Sequence, residues 1–169
     1  MKNSNNQKFR EGCLALLFIL LSALLSSCST KVYTPELKTD FTSDASVTFG
    51  DFKYNCKVIK TADSISVTPV DTAAAGMVIR CDGRKVTFTK GSMKREFPPE
   101  KITPLNPAVL MYEVFNSLDT AESKVSDGEL VFSGTISAGE FVLTASKSGD
   151  IKKLAVNSAK IEIVFSEIK

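Results

Sequence analysis

The chain has 169 residues, of which 43% are hydrophobic and 24% are charged, and its formal net charge is +2. This composition excludes a disordered polymer, a collagen-like repeat and a strongly basic nucleic-acid-binding protein, so we expect no nucleic-acid partner. The sequence contains no His. It therefore lacks the commonest general base near neutral pH and the commonest transition-metal ligand.

The first 27 residues have the composition of an export signal. Residues 1–12 are polar and net positive, residues 13–25 (CLALLFILLSALL) are apolar apart from one serine, and Ser26 and Ser27 follow. As a helix, the apolar run would span about 20 Å, whereas the hydrocarbon of a bilayer is roughly 30 Å thick. The run therefore has the length of a signal-peptide apolar segment rather than of a membrane-spanning helix.

The residues around Cys28 resemble the lipobox of bacterial lipoproteins. Leu25, Ser26 and Ser27 supply the branched apolar residue and the two small residues that precede the cysteine of that motif. The resemblance implies that the Cys28 thiol receives a diacylglyceryl group and that a signal peptidase cleaves after Ser27. It also implies lipid anchoring at the extracytoplasmic face of a bacterial membrane, because two acyl chains anchor a protein stably. An uncleaved short anchor helix and an ordinary signal peptide are the alternatives.

The mature chain, residues 28–169, is long enough for one domain with a hydrophobic core. Residues 28–44 are polar and contain Pro35, which predicts a tether between the lipidated Cys28 and the domain. From Ala45 onwards apolar and polar residues alternate over short stretches. We therefore predict a single domain over residues 45–169.

Most of this domain has the pattern of short antiparallel strands. About ten alternating stretches are separated by turn sequences such as Gly50-Asp51, Asp82-Gly83 and Asp127-Gly128. Turns this close together predict a meander, which needs one face covered and its edges protected.

A single helix interrupts the strands. Asn106 is a suitable cap and Pro107 suits the first helical position. Met111, Val114, Phe115 and Leu118 follow at helical spacing, which predicts a helix over residues 107–123 with this stripe against the sheet. The predicted fold class is α+β, a curved antiparallel sheet in the form of an open half-barrel around one central helix.

This order of elements resembles the periplasmic lipoprotein-carrier and receptor superfamily over residues 45–166. The resemblance implies an acyl or other lipid-like ligand, or a lipoprotein, in a concave apolar cavity between sheet and helix. The alternative is a surface interaction or structural lipoprotein with a filled core, acting through an unidentified protein partner. The apolar residues that would line the cavity, or fill an ordinary core, are Phe52, Phe88, Leu110, Phe115, Phe141 and Phe165.

No motif for catalysis or for cofactor binding is recognisable. The sequence has no GxSxG and no Gly-rich phosphate loop, and without His a Ser–His–Asp triad is impossible. We therefore expect no catalytic residue, no cofactor and no metal. A hydrolase that uses a Ser–Lys pair or carboxylates is the remaining alternative.

Two cysteines, Cys56 and Cys81, remain after Cys28 in the mature chain. An even number of thiols outside the cytoplasm is compatible with a disulfide. A plain meander places them about 9.6 Å apart, on strands separated by the Ile65–Val67 strand, whereas a disulfide requires Cα atoms within roughly 7 Å. Both a disulfide and two free core thiols are compatible with the sequence. The distance between the two strands favours free thiols.

Basic residues are concentrated between residues 80 and 95. They either contact lipid head groups or anionic wall polymers, or they form solvated hairpin edges that discourage aggregation. The residues of this basic run are Arg80, Arg84, Lys85, Lys90, Lys94 and Arg95.

Overall fold

The computed structural model describes residues 37, 38 and 40–168, the last two through their backbone only. The predicted signal peptide, the lipobox and most of the tether lie outside these residues. The described part contains eleven strands and one α-helix, α1 (Pro107–Ser117). The strands are β1 (Phe41–Phe49), β2 (Phe52–Thr61), β3 (Ser64–Pro69), β4 (Val78–Cys81), β5 (Val86–Lys90), β6 (Met93–Phe97), β7 (Glu122–Ser126), β8 (Glu129–Ile136), β9 (Gly139–Ala145), β10 (Ile151–Val156) and β11 (Ile161–Ile168).

The strands form one antiparallel sheet in the order β6-β5-β4-β3-β2-β1-β11-β10-β9-β8-β7. The first and last strands, β1 and β11, pair in the middle of the sheet, and each half is a meander of consecutive hairpins. The predicted antiparallel sheet with one helix is confirmed. Strands β6 and β7 are the two open edges.

The sheet is strongly curved around α1. The helix packs against β3 and β4 in one half of the sheet and against β8 in the other. Strands β3 and β8 are six positions apart in the sheet order, which would be about 29 Å in a flat sheet. A helix is only about 10 Å across. Both strands contact it because the sheet folds into an open half-barrel, whose concave face holds α1.

The first strand begins at Phe41, four residues before the predicted domain boundary at Ala45. Phe41 and Ser43 are both buried, so they belong to the core rather than to a tether. The Ser43 hydroxyl lies 2.7 Å from the carbonyl oxygen of Asp44 and 3.0 Å from that of Ser166. These two carbonyl oxygens satisfy the Ser43 hydroxyl, so this polar side chain can be buried. Residues 41–44 are polar enough in sequence to resemble a solvated tether, although they belong to β1.

The helix begins where the sequence predicts and ends earlier. The Ala108 N–H donates to the Asn106 side chain at 3.0 Å, and Pro107 occupies the first turn, where no N–H is needed. At the other end the Ser117 hydroxyl donates to the Val114 carbonyl at 2.9 Å, in competition with helical backbone bonding. The α-helix ends at Ser117, a short 3-10 turn (Leu118–Thr120) follows it, and the predicted helical residues 122 and 123 belong to the edge strand β7.

The core fills the space between the sheet and α1. Leu110, Met111 and Val114 of the helix are fully buried, whereas Phe115 and Leu118 of the predicted stripe are only partly buried. Met111 and Val114 of the predicted stripe therefore face the sheet, together with Leu110, which lies outside the stripe. The compact unit Pro35–Lys169 contains this core and all the elements that build it. We therefore expect this unit to fold without the preceding residues.

Both core cysteines are free and buried. Cys56 lies on β2 and Cys81 on β4, and β3 separates them, as the meander predicts. Burial raises the pKa of the Cys56 thiol to about 12, and nearby Asp71 and Asp44 add to this effect. Burial also raises the pKa of the Cys81 thiol. Both thiols therefore stay protonated and unreactive at neutral pH.

Candidate functional site: the concave shelf

The six residues that we expected in a cavity or core occupy three different environments. Leu110, Phe141 and Phe165 are buried in the core, and Phe88 and Phe115 are partly buried against it. Phe52 is exposed over 57% of its surface, so of the two expected environments, a cavity lining or the core, it does not lie in the core. It shares the concave face with Cys56 and Val58 but lies at the start of β2, beyond the strands that α1 covers.

Phe52 belongs to an apolar surface on the uncovered part of the concave face, which we name the concave shelf. The cross-strand pairs Phe49–Phe52 and Val47–Tyr54 join β1 and β2 at this surface. Directly opposite residues project to the same side of a sheet, and Val47 is buried in the core. The shelf therefore faces the inside of the half-barrel. Its residues are Phe49, Phe52 and Tyr54.

The shelf is most exposed at the hairpin that joins β1 and β2. Phe49 is 44% exposed beside Phe52, and the ring centroids of Phe52 and Tyr54 are 5.7 Å apart. Tyr54 is partly buried against the core. The surface thus runs from solvent-exposed aromatic rings into the hydrophobic interior. Contiguous exposed apolar surface of this kind marks an interaction or ligand site.

The Tyr54 hydroxyl is neutral over the physiological pH range. Burial raises its pKa to about 12, and the neighbouring Cys56 thiol adds to this effect. A protonated phenol can both donate and accept a hydrogen bond. Tyr54 therefore offers a polar group without a charge within the apolar shelf.

Two surface cavities lie away from the shelf. The first, of about 810 Å³, is bounded by β8 and β9 through Ser133, Thr135 and Glu140 among other residues. The second, of about 490 Å³, lies between the β4–β5 turn and α1 and is bounded by Arg84, Ile102 and Glu113 among others. Phe141, a residue of the expected set, borders the first cavity. Neither of these two cavities is the apolar space between sheet and helix that we expected, where Leu110, Met111 and Val114 of the helix are fully buried.

The basic run is divided between the two faces of the sheet. Lys85 and Lys94 each lie 2.8 Å from Glu96, and their hydrogen bonds hold the pKa of that carboxyl at about 2. Lys94 and Glu96 occupy convex positions of β6, whereas Arg95 between them occupies a concave one. Lys85 and Lys94 therefore form solvated ion pairs at a hairpin edge. This agrees with the second interpretation of the basic run, that of solvated hairpin edges.

The described residues contain no group of three His, Cys, Asp or Glu side chains that could hold a metal ion. Among the helices described, none has the length and apolar character needed to cross a membrane.

Neither a protein-family model nor a curated protein matches the chain. Among solved structures, the chain is similar to a LolA superfamily protein from Nitrosomonas europaea, with 12% sequence identity and a TM-score of 0.44. The alignment covers 80% of this chain and 88% of that one.

Proposed function

We propose that this protein is a lipid-anchored extracytoplasmic lipoprotein that binds the acyl chain of a lipid-like or lipoprotein ligand on its concave shelf. One observation carries the binding: the exposed aromatic pair Phe49 and Phe52 continues through Tyr54 onto the hydrophobic floor of the half-barrel. The anchoring rests on the sequence Leu25-Ser26-Ser27-Cys28.

The shelf suits an acyl chain because its residues are apolar and lie side by side on a curved surface. Each methylene group that leaves water contributes about 0.8 kcal/mol. Ten methylene groups on the shelf would contribute on the order of 8 kcal/mol before the cost of ordering the ligand is subtracted. The ligand in this proposal lies on the uncovered part of the concave face, since the space under α1 is occupied by Leu110 and Met111.

The segment between Cys28 and β1 limits the distance between the proposed lipid anchor and the shelf. The twelve residues between Cys28 and β1 span at most about 40 Å. Lipidation of Cys28 would therefore keep the domain close to the membrane surface, where acyl ligands are concentrated. The anchor in this proposal supplies the location, and the shelf supplies the binding.

A second function is favoured by the open edges of the sheet. Every residue of β6 and of β7 is exposed, and within the described residues each of these strands has a strand neighbour on one side only. An unpaired edge can add a strand from another protein through main-chain hydrogen bonds. In this alternative the molecule is a structural or interaction lipoprotein that acts through protein contacts.

Replacing Phe52 with Ser tests the shelf. Because the ring supplies exposed apolar contact surface, we expect the variant to bind a fluorescent polyene fatty acid about tenfold more weakly than wild type. We expect the free energy of unfolding to change by less than about 0.5 kcal/mol, since the residue is exposed. The measurement is a fluorescence titration of the unit Pro35–Lys169.

Ile59→Ser is the matched control. Ile59 lies on the same strand, is 41% exposed and projects from the convex face, where it pairs with Ser66. The Ile59→Ser variant should bind the fatty acid with the same affinity as wild type. A wild-type protein that binds no fatty acid, or an equal loss in both variants, contradicts the acyl-binding function and favours the edge-pairing alternative.

A further inference from the structure

The outer edge of β6 is complementary to the same edge of a second copy of the chain. We propose that two copies pair their β6 strands antiparallel about a two-fold axis, which joins the two sheets into one. A closed pair of this kind uses the same surface on both copies. The dimer is independent of the proposed acyl-binding function, and it gives one of the two open edges a partner.

The turn between β5 and β6 determines which backbone groups of β6 point outward. It has two residues and a φ of 58° at Gly91, and the flanking Lys90 and Met93 pair directly. In such a hairpin the flanking pair exchanges both backbone hydrogen bonds, and hydrogen-bonded pairs then alternate along the ladder. Every second residue from Met93 therefore bonds to β5. The N–H and C=O groups of Lys94 and Glu96 point away from β5, and within residues 40–168 no further strand pairs with them.

Lys94 and Glu96 determine the register of a second β6 strand. A residue whose backbone groups point outward must lie opposite another residue of the same kind. With Lys94 opposite Glu96 of the second copy, all five residues of β6 are paired, and the two-fold axis passes between the Arg95 residues. Each Lys94–Glu96 pair then exchanges both of its main-chain hydrogen bonds. A shift by two residues in either direction places Lys94 or Glu96 opposite itself and shortens the ladder.

The charges of the convex face favour this register. Lys94 and Glu96 both project from that face, and Lys94 Nζ lies 2.8 Å from Glu96 Oε1 within one strand. In the dimer each residue also lies opposite its oppositely charged partner in the second copy, so the four side chains form a ring of alternating charge. Lys85 Nζ lies 2.8 Å from the same Glu96 oxygen and extends the network. Several charges in a network contribute more than a single exposed pair.

The concave face contributes apolar contacts between the copies. Phe97 pairs with Val86, which is buried in the core, so Phe97 and Met93 project from the concave face. Met93 is 69% exposed and Phe97 is 41% exposed, and in this register each lies opposite the other in the second copy. These pairs are not hydrogen-bonded, so their side chains approach closely, and a thioether beside an aromatic ring is a favourable contact. The Phe97 ring is held in place by an edge-to-face contact with Phe88, at 5.8 Å between centroids.

Arg95 occupies the one unfavourable position of the pairing. The Arg95 side chains of the two copies lie opposite each other at the axis, and like charges directly opposite destabilise paired strands. Arg95 takes part in none of the ion pairs formed among residues 40–166, so no carboxylate there offsets its charge. The edge is also short, with five residues from each copy. We therefore expect a weak and reversible dimer.

An exchange of charge between two variants tests the register. Sedimentation of the unit Pro35–Lys169 is measured over a range of concentrations. We expect wild type to dimerise, and we expect Lys94→Glu and Glu96→Lys each to dimerise at least about tenfold more weakly, because each places like charges opposite each other twice. An equimolar mixture of the two variants should dimerise as well as wild type, since every pair across the axis then joins opposite charges. The double variant Lys94→Glu/Glu96→Lys should dimerise for the same reason.

Arg95→Thr should make the dimer about fivefold tighter than that of wild type, because it replaces a like-charged pair with a pair of threonines, which suits opposed strands. Arg80→Glu is the control for charge. It makes the same change of charge as Lys94→Glu on the convex face of β4, away from the edge, and should dimerise as wild type does. Cooperative thermal unfolding establishes that each variant is folded.

A wild-type unit that stays monomeric up to about 1 mM, where even weak interfaces associate, overturns the dimer and assigns the edge to a strand of another protein or to none. Dimers that persist unchanged in Lys94→Glu and Glu96→Lys place the interface elsewhere and also overturn it. A mixture of these variants that stays monomeric overturns the register. Each of these results is separate from the fatty-acid titration of Phe52→Ser, which tests the acyl-binding function.

Discussion

Changing Cys28 to Ala is expected to abolish lipid labelling of the chain and to leave it as the longer precursor. The thiol is the proposed acylation site, and Ala offers no nucleophile to form the thioether. The measurement is metabolic labelling with an alkyne-tagged fatty acid, read together with the mobility of the chain on a denaturing gel.

Cys13→Ala is the matched control for this experiment. Cys13 lies in the apolar run that precedes the proposed cleavage site, so its loss should leave labelling and processing unchanged. A Cys28→Ala variant that is labelled as strongly as wild type would contradict the lipid anchor.

Leu110→Ala is expected to lower the free energy of unfolding by about 2–5 kcal/mol. Leu110 is fully buried between α1 and the sheet, and truncation of a buried Leu leaves a cavity as well as removing apolar contacts. Urea denaturation of the unit Pro35–Lys169, followed by circular dichroism, measures the change.

Asn116→Ala provides the comparison on the same helix. Asn116 is exposed, so this change should alter the free energy of unfolding by less than about 0.5 kcal/mol. Phe115 is only partly buried, and its truncation to Ala should therefore cost less than the 3–5 kcal/mol typical of a fully buried Phe. A loss below about 1 kcal/mol for Leu110→Ala would contradict a packed interface between helix and sheet.

The local elements of this fold could be predicted because their causes lie within a few residues. Asn106 and Pro107 begin α1 as their chemistry predicts. The Asp127-Gly128 turn has positive φ angles of 51° and 81°, which Gly and Asp tolerate better than most residues. Such signals are readable because they depend on the backbone preferences of single residues.

The end of the helix and the start of the sheet were harder to predict. Glu122–Ser126 is polar and fully exposed, so nothing in its pattern marks it as the edge strand β7. Ser43 interrupts the apolar alternation of β1, and its burial depends partly on an acceptor from Ser166, which is distant in the chain. In both cases the deciding contacts are long-range and have no local signature.

The site was predicted only in part for the same reason. Alternation along β2 places Phe52 on the face of Cys56, but it does not reveal how much of that face α1 covers. For the basic run, by contrast, the alternation of side chains along a strand predicts which face of the sheet each residue occupies. Lys94 and Arg95 are neighbours in sequence, yet they project to opposite faces once the β5–β6 register is known.

Paramagnetic relaxation measured by nuclear magnetic resonance tests the central claim most directly. The isotope-labelled unit Pro35–Lys169 is titrated with a fatty acid that carries a spin label at the end of its chain. The account predicts that the amide signals of Phe49, Phe52 and Tyr54 broaden most. Broadening confined to β8 and β9 around Glu140, or no broadening at saturating fatty acid, would contradict acyl binding on the concave shelf.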